Sequence, residues 1–108
     1  ANTSQGLDMT EYLIATSVLE AIVRGAVEND ERLRVHSPLP LARTHAVEVA
    51  VDDDDCRVTV HLDARMGQHL PSLAVEARGK IASALSHMTG LTVTGVDVVF
   101  SGVFPESV

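Results

Sequence analysis

Five histidines and fifteen acidic residues are the groups of this 108-residue chain with the potential for chemistry. His61 and Asp63 lie two residues apart in an alternating stretch, so both side chains point to one face of a strand. His45 is a third candidate from a neighbouring strand, since imidazole and carboxylate groups bind zinc. The sequence contains no HExxH motif and only one cysteine. We therefore favour an ordinary polar face, with a small metal-binding or enzymatic domain using His61 and Asp63 as the alternative.

The acidic run, the single cysteine and one further histidine each have a structural explanation. The run from Asp52 to Asp55 lacks the glycine and the distal glutamate of a calcium-binding loop, and it fits a solvated turn. Cys56 follows this acidic run, which raises the pKa of a thiol and disfavours its use as a nucleophile. His87 is predicted in the last turn of a helix, where the helix dipole favours a partly charged imidazole. We therefore predict no enzyme activity and no catalytic, cofactor-binding or metal-binding residue.

The charge balance narrows the classes of partner. Fifteen acidic residues outnumber eight basic ones, and the formal net charge is −7. Because nucleic acids and anionic lipids attract clustered positive charge, we expect no nucleic-acid binding and no direct contact with a lipid surface. We also expect no direct membrane insertion, since no run of about 18 apolar residues occurs. The lone Cys56 favours a reducing cytoplasm, and no signal peptide is visible.

The elements that position these residues begin with a helix. Residues 1–12 are polar, and we predict a flexible N-terminal segment followed by a single domain over residues 13–104. Ser17 and Glu20 fit a capping box, so the helix is expected to start near Thr16 or Ser17 and to end in the polar cluster after Glu28. Its apolar stripe recurs at helical spacing. The stripe consists of Ile14, Val18, Ile22 and Ala26, widened by Leu19 and Val23.

Two strands follow a connection that contains Pro38 and Pro40. Residues 33–43 show no periodicity, and we interpret them as a loop or an extended connection. Alternating valines then predict one strand over residues 47–51 and a second over residues 58–64. Two strands joined by about four turn residues, here the run from Asp52 to Asp55, predict an antiparallel hairpin.

The second helix has both ends marked. Pro71 fits its first turn, and Gly90 fits the left-handed position that follows a helix, with Leu91 folding back on the last turn. Its predicted core face consists of Leu70, Leu73, Ala74, Ala77, Ile81, Ala84, Leu85 and Met88.

A third strand follows directly and changes phase at a glycine. Leu91 and Val93 share one phase, whereas Val96, Val98 and Phe100 share the other. A two-residue period cannot place both sets on one face without an extra residue, so we predict a bulge or a bend at a glycine between them.

The element order predicts a small α+β domain. The order is helix-strand-strand-helix-strand, and alternating strands with one apolar face need two amphipathic helices as cover. We predict a two-layer sandwich in which both helices lie on one face of a three-stranded mixed sheet. The crossover between the last two strands should be right-handed. This order also occurs in KH-like RNA-binding modules, but their basic Gly-x-x-Gly loop is missing here, which makes RNA binding a weaker alternative.

The C-terminal half carries a combined pattern that resembles a known family. Its parts are Gly67-Gln68-His69-Leu70-Pro71, Met88-Thr89-Gly90-Leu91 and the valine-rich run from Val96 to Val103. Together with the first helix, this pattern looks like the alkaline shock protein family of bacterial envelope-stress proteins, over about residues 14–103. The chain has Met66 where the family often has tyrosine, and Asp30 to Leu33 where the family often has a Gly-Val turn.

The resemblance implies a structural role. Such proteins are small and cytoplasmic, contribute to cell-envelope homeostasis under stress and associate with the membrane through a small anchoring protein. No catalytic residue is carried over from the family. We therefore expect a non-enzymatic structural or interaction protein that acts through protein partners near the cytoplasmic membrane and that has the potential to form homo-oligomers.

Overall fold

The computed structural model describes residues 13–38 and 45–106 of the chain, so the predicted flexible segment 1–12 lies outside the described residues. The described part contains two helices and four strands. In chain order these are α1 (Thr16–Glu28), β1 (Leu33–Val35), β2 (Val47–Asp52), β3 (Asp55–Arg65), α2 (Leu70–Thr89) and β4 (Thr92–Phe104). The predicted α+β class is confirmed.

The sheet is organised around β3, which is paired on both edges. β4 runs parallel to β3 along its whole length, while β2 and β1 pair antiparallel with successive parts of the other edge. The predicted count of three strands is wrong, because Leu33–Val35 is a strand and not a loop. This strand forms because β3 extends beyond β2, and its free backbone groups at Leu62 to Ala64 accept a short partner. No local pattern marks three residues as a strand.

Both helices cover one face of this sheet, as predicted. The covered face of β3 is fully buried, and each of its side chains is at most 1% exposed. These side chains are Cys56, Val58, Val60, Leu62 and Ala64. α1 and α2 contribute a matching row of buried residues from their facing sides. That row consists of Leu19, Ile22, Val23 and Val27 in α1, and Leu73, Ala77, Ile81 and Leu85 in α2.

The first helix differs from the prediction in its cap and its orientation. It starts at Thr16, within the expected range, but its N-cap is Ala15 and no side chain caps it, so the predicted capping box is wrong. Val18 is 49% exposed. The helix is rotated because the row through Leu19 and Val23 brings larger side chains onto the sheet than the row through Val18 does.

The second helix has the predicted ends. Pro71 lies in the first turn, and Gly90 has a φ of 75° and donates its N–H to the carbonyl of Ser86. Met88, however, is 70% exposed and is not a core residue. It lies beside the buried row that ends at Leu85, on a surface described below.

The predicted irregularity in the last strand is a bulge. Cys56 pairs with Val93 and Arg57 pairs with Gly95, so Thr94 is an extra residue of β4. A second bulge, which the sequence analysis missed, places Ser101 between the partners of Leu62 and Asp63. Each extra residue shifts the phase of the strand, so the alternation along β4 holds only between the two bulges.

A buried carboxylate joins α1, β1 and α2. Asp30 lies in the turn after α1 and is 7% exposed. It accepts hydrogen bonds from the backbone N–H of Arg32 at 2.9 Å, from the Arg32 guanidinium at 2.7 and 3.0 Å, and from Lys80 of α2 at 2.9 Å. Arg32 also contacts Glu76 of α2 at 2.9 Å. The Arg32 guanidinium holds the pKa of Asp30 well below its usual range, and Lys80 adds to this effect against the cost of burial.

We predict that Asp30→Asn lowers the free energy of unfolding by about 2 kcal/mol at pH 7, because two cations lose a charged acceptor. Glu76→Gln is the matched control, since its carboxylate is half-exposed and its loss should cost less than about 1 kcal/mol. Urea unfolding measures both. Equal effects of the two substitutions would contradict the special role of Asp30.

The pH dependence follows from the lowered pKa. A carboxyl group whose folded pKa lies below its unfolded value stabilises the fold above the unfolded value of 3.8. This contribution is lost as the pH falls through the acid range toward the folded pKa. The difference between the wild type and Asp30→Asn should therefore be full at pH 7 and shrink below about pH 4. Urea unfolding at a series of pH values tests this, and a constant difference would exclude it.

Candidate functional site

The candidate site is the open face of the sheet, opposite the helices. On β3 the side chains that alternate with the buried row point to this face, and they are polar or charged. They include Arg57, Thr59, His61 and Asp63. β4 contributes Asp97 beside Thr59 and Val99 beside His61, and β2 contributes Glu48. This mixed surface was expected from the alternation, and the structure confirms its position.

Two glycines of β4 leave room for the long side chains of β3. A Cβ atom at Gly95 would lie 2.5 Å from Nη1 of Arg57, and a Cβ atom at Gly102 would lie 2.6 Å from Oδ1 of Asp63. Each glycine directly follows a bulge residue. The two bulges with their glycines therefore allow side chains from the central strand to lie across β4.

The polar side chains of this face form three contacts between strands. Arg57 donates to Asp97 at 3.0 Å, and both side chains are more than half exposed. The hydroxyl of Ser101 lies 3.0 Å from Nδ1 of His61. His36 donates from Nδ1 to Oδ1 of Asp63 at 2.7 Å. The face is therefore lined by paired groups, and its hydrogen-bonding capacity is partly satisfied within the domain.

His61 and Asp63 share this face, as predicted, but they bind different partners. Asp63 contacts His36, which follows β1 in the segment interpreted as a loop, and the sequence analysis did not select it. His45 precedes β2 and is exposed. Within residues 13–38 and 45–106, no group of three or more His, Cys, Asp or Glu side chains is placed to hold a metal ion. His36 could have been selected only if β1 had been recognised as a strand. It directly follows β1, and the pairing of β1 with β3 brings it opposite His61.

The other candidates take no part in these three contacts. Asp52 and Asp55 pair with each other at the end of the hairpin, and Asp53 adopts a left-handed φ of 54° in the turn. Cys56 is buried in the core, and burial raises the pKa of its thiol. The direction agrees with the sequence analysis, but the cause is loss of solvation and not the neighbouring aspartates. His87 lies in the last turn of α2, as predicted.

A second surface feature lies between the helices. It is an open groove of about 760 Å³. The residues that line it are Ala26 and Asn29 of the α1 side and Val75, Glu76, Gly79, Lys80, Ser83, Ala84, His87 and Met88 of α2. Val75 and Met88 are its exposed apolar side chains.

The family assignment rests on nearly the whole domain. Residues 5–105 match the model of the alkaline shock protein 23 family, for which a cell envelope-related function is described. The chain belongs to this family. Among curated proteins and among solved structures, none matches the chain. The match includes both helices and all four strands, so the resemblance stated from the C-terminal pattern is confirmed.

Neither α1 nor α2 is long and apolar enough to cross a membrane.

We predict that Gly102→Ala lowers the free energy of unfolding by about 1 kcal/mol, because the new Cβ displaces Asp63 from His36. Gly25→Ala in α1 is the matched control. A Cβ atom there meets nothing within 4 Å, so alanine should stabilise the helix by roughly 0.5–1 kcal/mol. Thermal unfolding of the two variants compares them, and a stabilising effect of both would show that Asp63 does not need the space above Gly102.

Proposed function

We propose that this protein is a non-enzymatic structural or interaction module of the cell-envelope stress response that acts through protein contacts near the cytoplasmic membrane. Membership of a family with an envelope-related function is the observation that carries this proposal. The protein acts in the cytoplasm and reaches the membrane through a small membrane-anchoring protein. The net charge of −7 supports a protein partner over nucleic acid or an anionic lipid surface.

The open sheet face is the proposed contact surface. Its side chains are held in pairs before any partner binds, so ordering them at an interface has a low entropic cost. Arg57, Asp97 and Asp63 present both signs of charge, and Val99 adds an exposed apolar group between them. Such a mixture fits the polar rim and apolar centre of a protein interface.

The same pairs support a role without catalysis. Ser101 and His61 resemble part of a nucleophile and base arrangement, which needs a third group to orient the histidine. Asp63 is the carboxylate nearest to His61 along the strand, but its side chain is bound to His36 at 2.7 Å. The hydroxyl and imidazole therefore serve as a contact between β3 and β4 in this proposal.

Cell fractionation with two arginine variants tests the proposal. Thr59→Arg places a long cation in the middle of the open face, and Ser83→Arg places the same group in the helix groove. Under envelope stress, the wild type and Ser83→Arg should be recovered with the membrane fraction and one identified membrane protein. Thr59→Arg should reduce this recovery about tenfold, the effect expected of a change at the centre of an interface.

Two outcomes would contradict the proposal. A wild-type protein that stays wholly in the soluble fraction under stress, with no co-purifying membrane protein, excludes the envelope contact. Loss of recovery with Ser83→Arg and not with Thr59→Arg excludes the open face as the contact surface.

A further inference from the structure

The edge of β4 that faces away from β3 has no partner strand in the described residues. β4 is 13 residues long, and only β3 pairs with it within residues 13–38 and 45–106. An exposed edge of this length is a template for pairing with another strand, and proteins commonly blunt such edges with lysine, proline or bulges. β4 has no lysine and no proline, and its two bulges, at Thr94 and Ser101, lie outside the stretch from Gly95 to Phe100.

The hydrogen bonds of β3 show which residues of β4 face outward. The N–H of His61 donates to Ala46 on the β2 side, so the odd-numbered residues of β3 bond to that side. Val58 and Val60 therefore bond to β4, and in a parallel pair each bonds to the residues that flank its partner. Because Val58 pairs with Val96, this places the N–H and C=O groups of Val96, Val98 and Phe100 on the free edge.

The same strand leaves apolar side chains incompletely covered. Val98 and Phe100 pack against the core but are only half-buried, while Val99 is 40% exposed and Val103 is 58% exposed. The two bulges leave a regular stretch from Gly95 to Phe100 between them. A strand that pairs with this stretch would cover apolar surface on both faces of the sheet and satisfy the free backbone groups.

The opposite edge is less suitable. β2 is six residues long, carries Glu48 and Asp52, and ends in the acidic turn that contains Asp53 and Asp54. Pairing the β2 edges of two copies would bring these acidic side chains together. β4 carries one charged residue, Asp97, which is bound to Arg57 of its own domain.

We propose that two copies of this chain pair through the β4 edge, antiparallel about a two-fold axis at Val98, to form one continuous sheet. A two-fold interface places the same patch of both copies together. With Val98 opposite its own copy, Val96 faces Phe100 of the second copy and Asp97 faces Val99. The neighbouring register with Asp97 opposite Asp97 is disfavoured by like charges. This pairing leaves the open face accessible, so it does not depend on the proposed envelope role.

Two variants of one exposed residue test the pairing and its register. Val99→Asp places a carboxylate opposite Asp97 of the second copy twice in each dimer, whereas Val99→Lys places an ammonium there. We expect Val99→Asp to raise the dimer dissociation constant about tenfold and Val99→Lys to leave it near the wild-type value. Sedimentation equilibrium over roughly a hundredfold concentration range measures this, with the full chain in each case. Circular dichroism confirms that both variants fold.

Amide hydrogen exchange supplies a second readout. The N–H groups of Val96, Val98 and Phe100 should become more protected as the protein concentration rises. Those of Asp97 and Val99 should not change, because they already face β3. A wild-type chain that is monomeric at every concentration would overturn the proposal, as would dimers unaffected by Val99→Asp. Loss of the dimer in both variants would overturn the register.

Discussion

The complete burial of one face of β3 is the constraint on which the rest of the structure depends. Five alternating side chains from Cys56 to Ala64 are inaccessible to water, and both edges of the strand are paired. Each of the other elements is attached to it, either through backbone hydrogen bonds or through the core. Because the side-chain period of a strand is two, burial of this face forces the intervening residues Arg57 to Asp63 to the opposite side. The candidate contact surface is thus a consequence of how the core is made.

The orientation of the two helices on the sheet depends on charged side chains as well as on apolar contacts. With few aromatic residues, the core is aliphatic, and apolar burial alone gives the helices little rotational specificity. The ion pairs of Asp30 orient the helices, because Arg32 next to β1 and Lys80 of α2 both bind its carboxylate. Asp30 and Arg32 directly follow α1, and Lys80 and Glu76 lie on α2, so these ion pairs join the end of α1 to α2.

The strand β4 both packs against the core and forms an edge of the described sheet. It completes the core through Val96 and Phe100, and its other edge has no partner strand in the described residues. Its bulges at Thr94 and Ser101 admit side chains from β3 at Gly95 and Gly102, and they also leave a regular stretch between them. The proposed contacts of the open face and of the β4 edge are compatible, because backbone groups lie in the plane of the sheet and side chains point out of it.

Much of this architecture was determined by the sequence. The alternation of β3, the proline and glycine at the ends of α2 and the phase change at Gly95 are local patterns, and each predicts its element because the cause lies within a few residues. Only the tertiary structure decided the existence of β1, the exposure of Val18 in α1 and of Met88 in α2, and the contact between His36 and Asp63. These depend on which surface another element presents, and no local period contains that information.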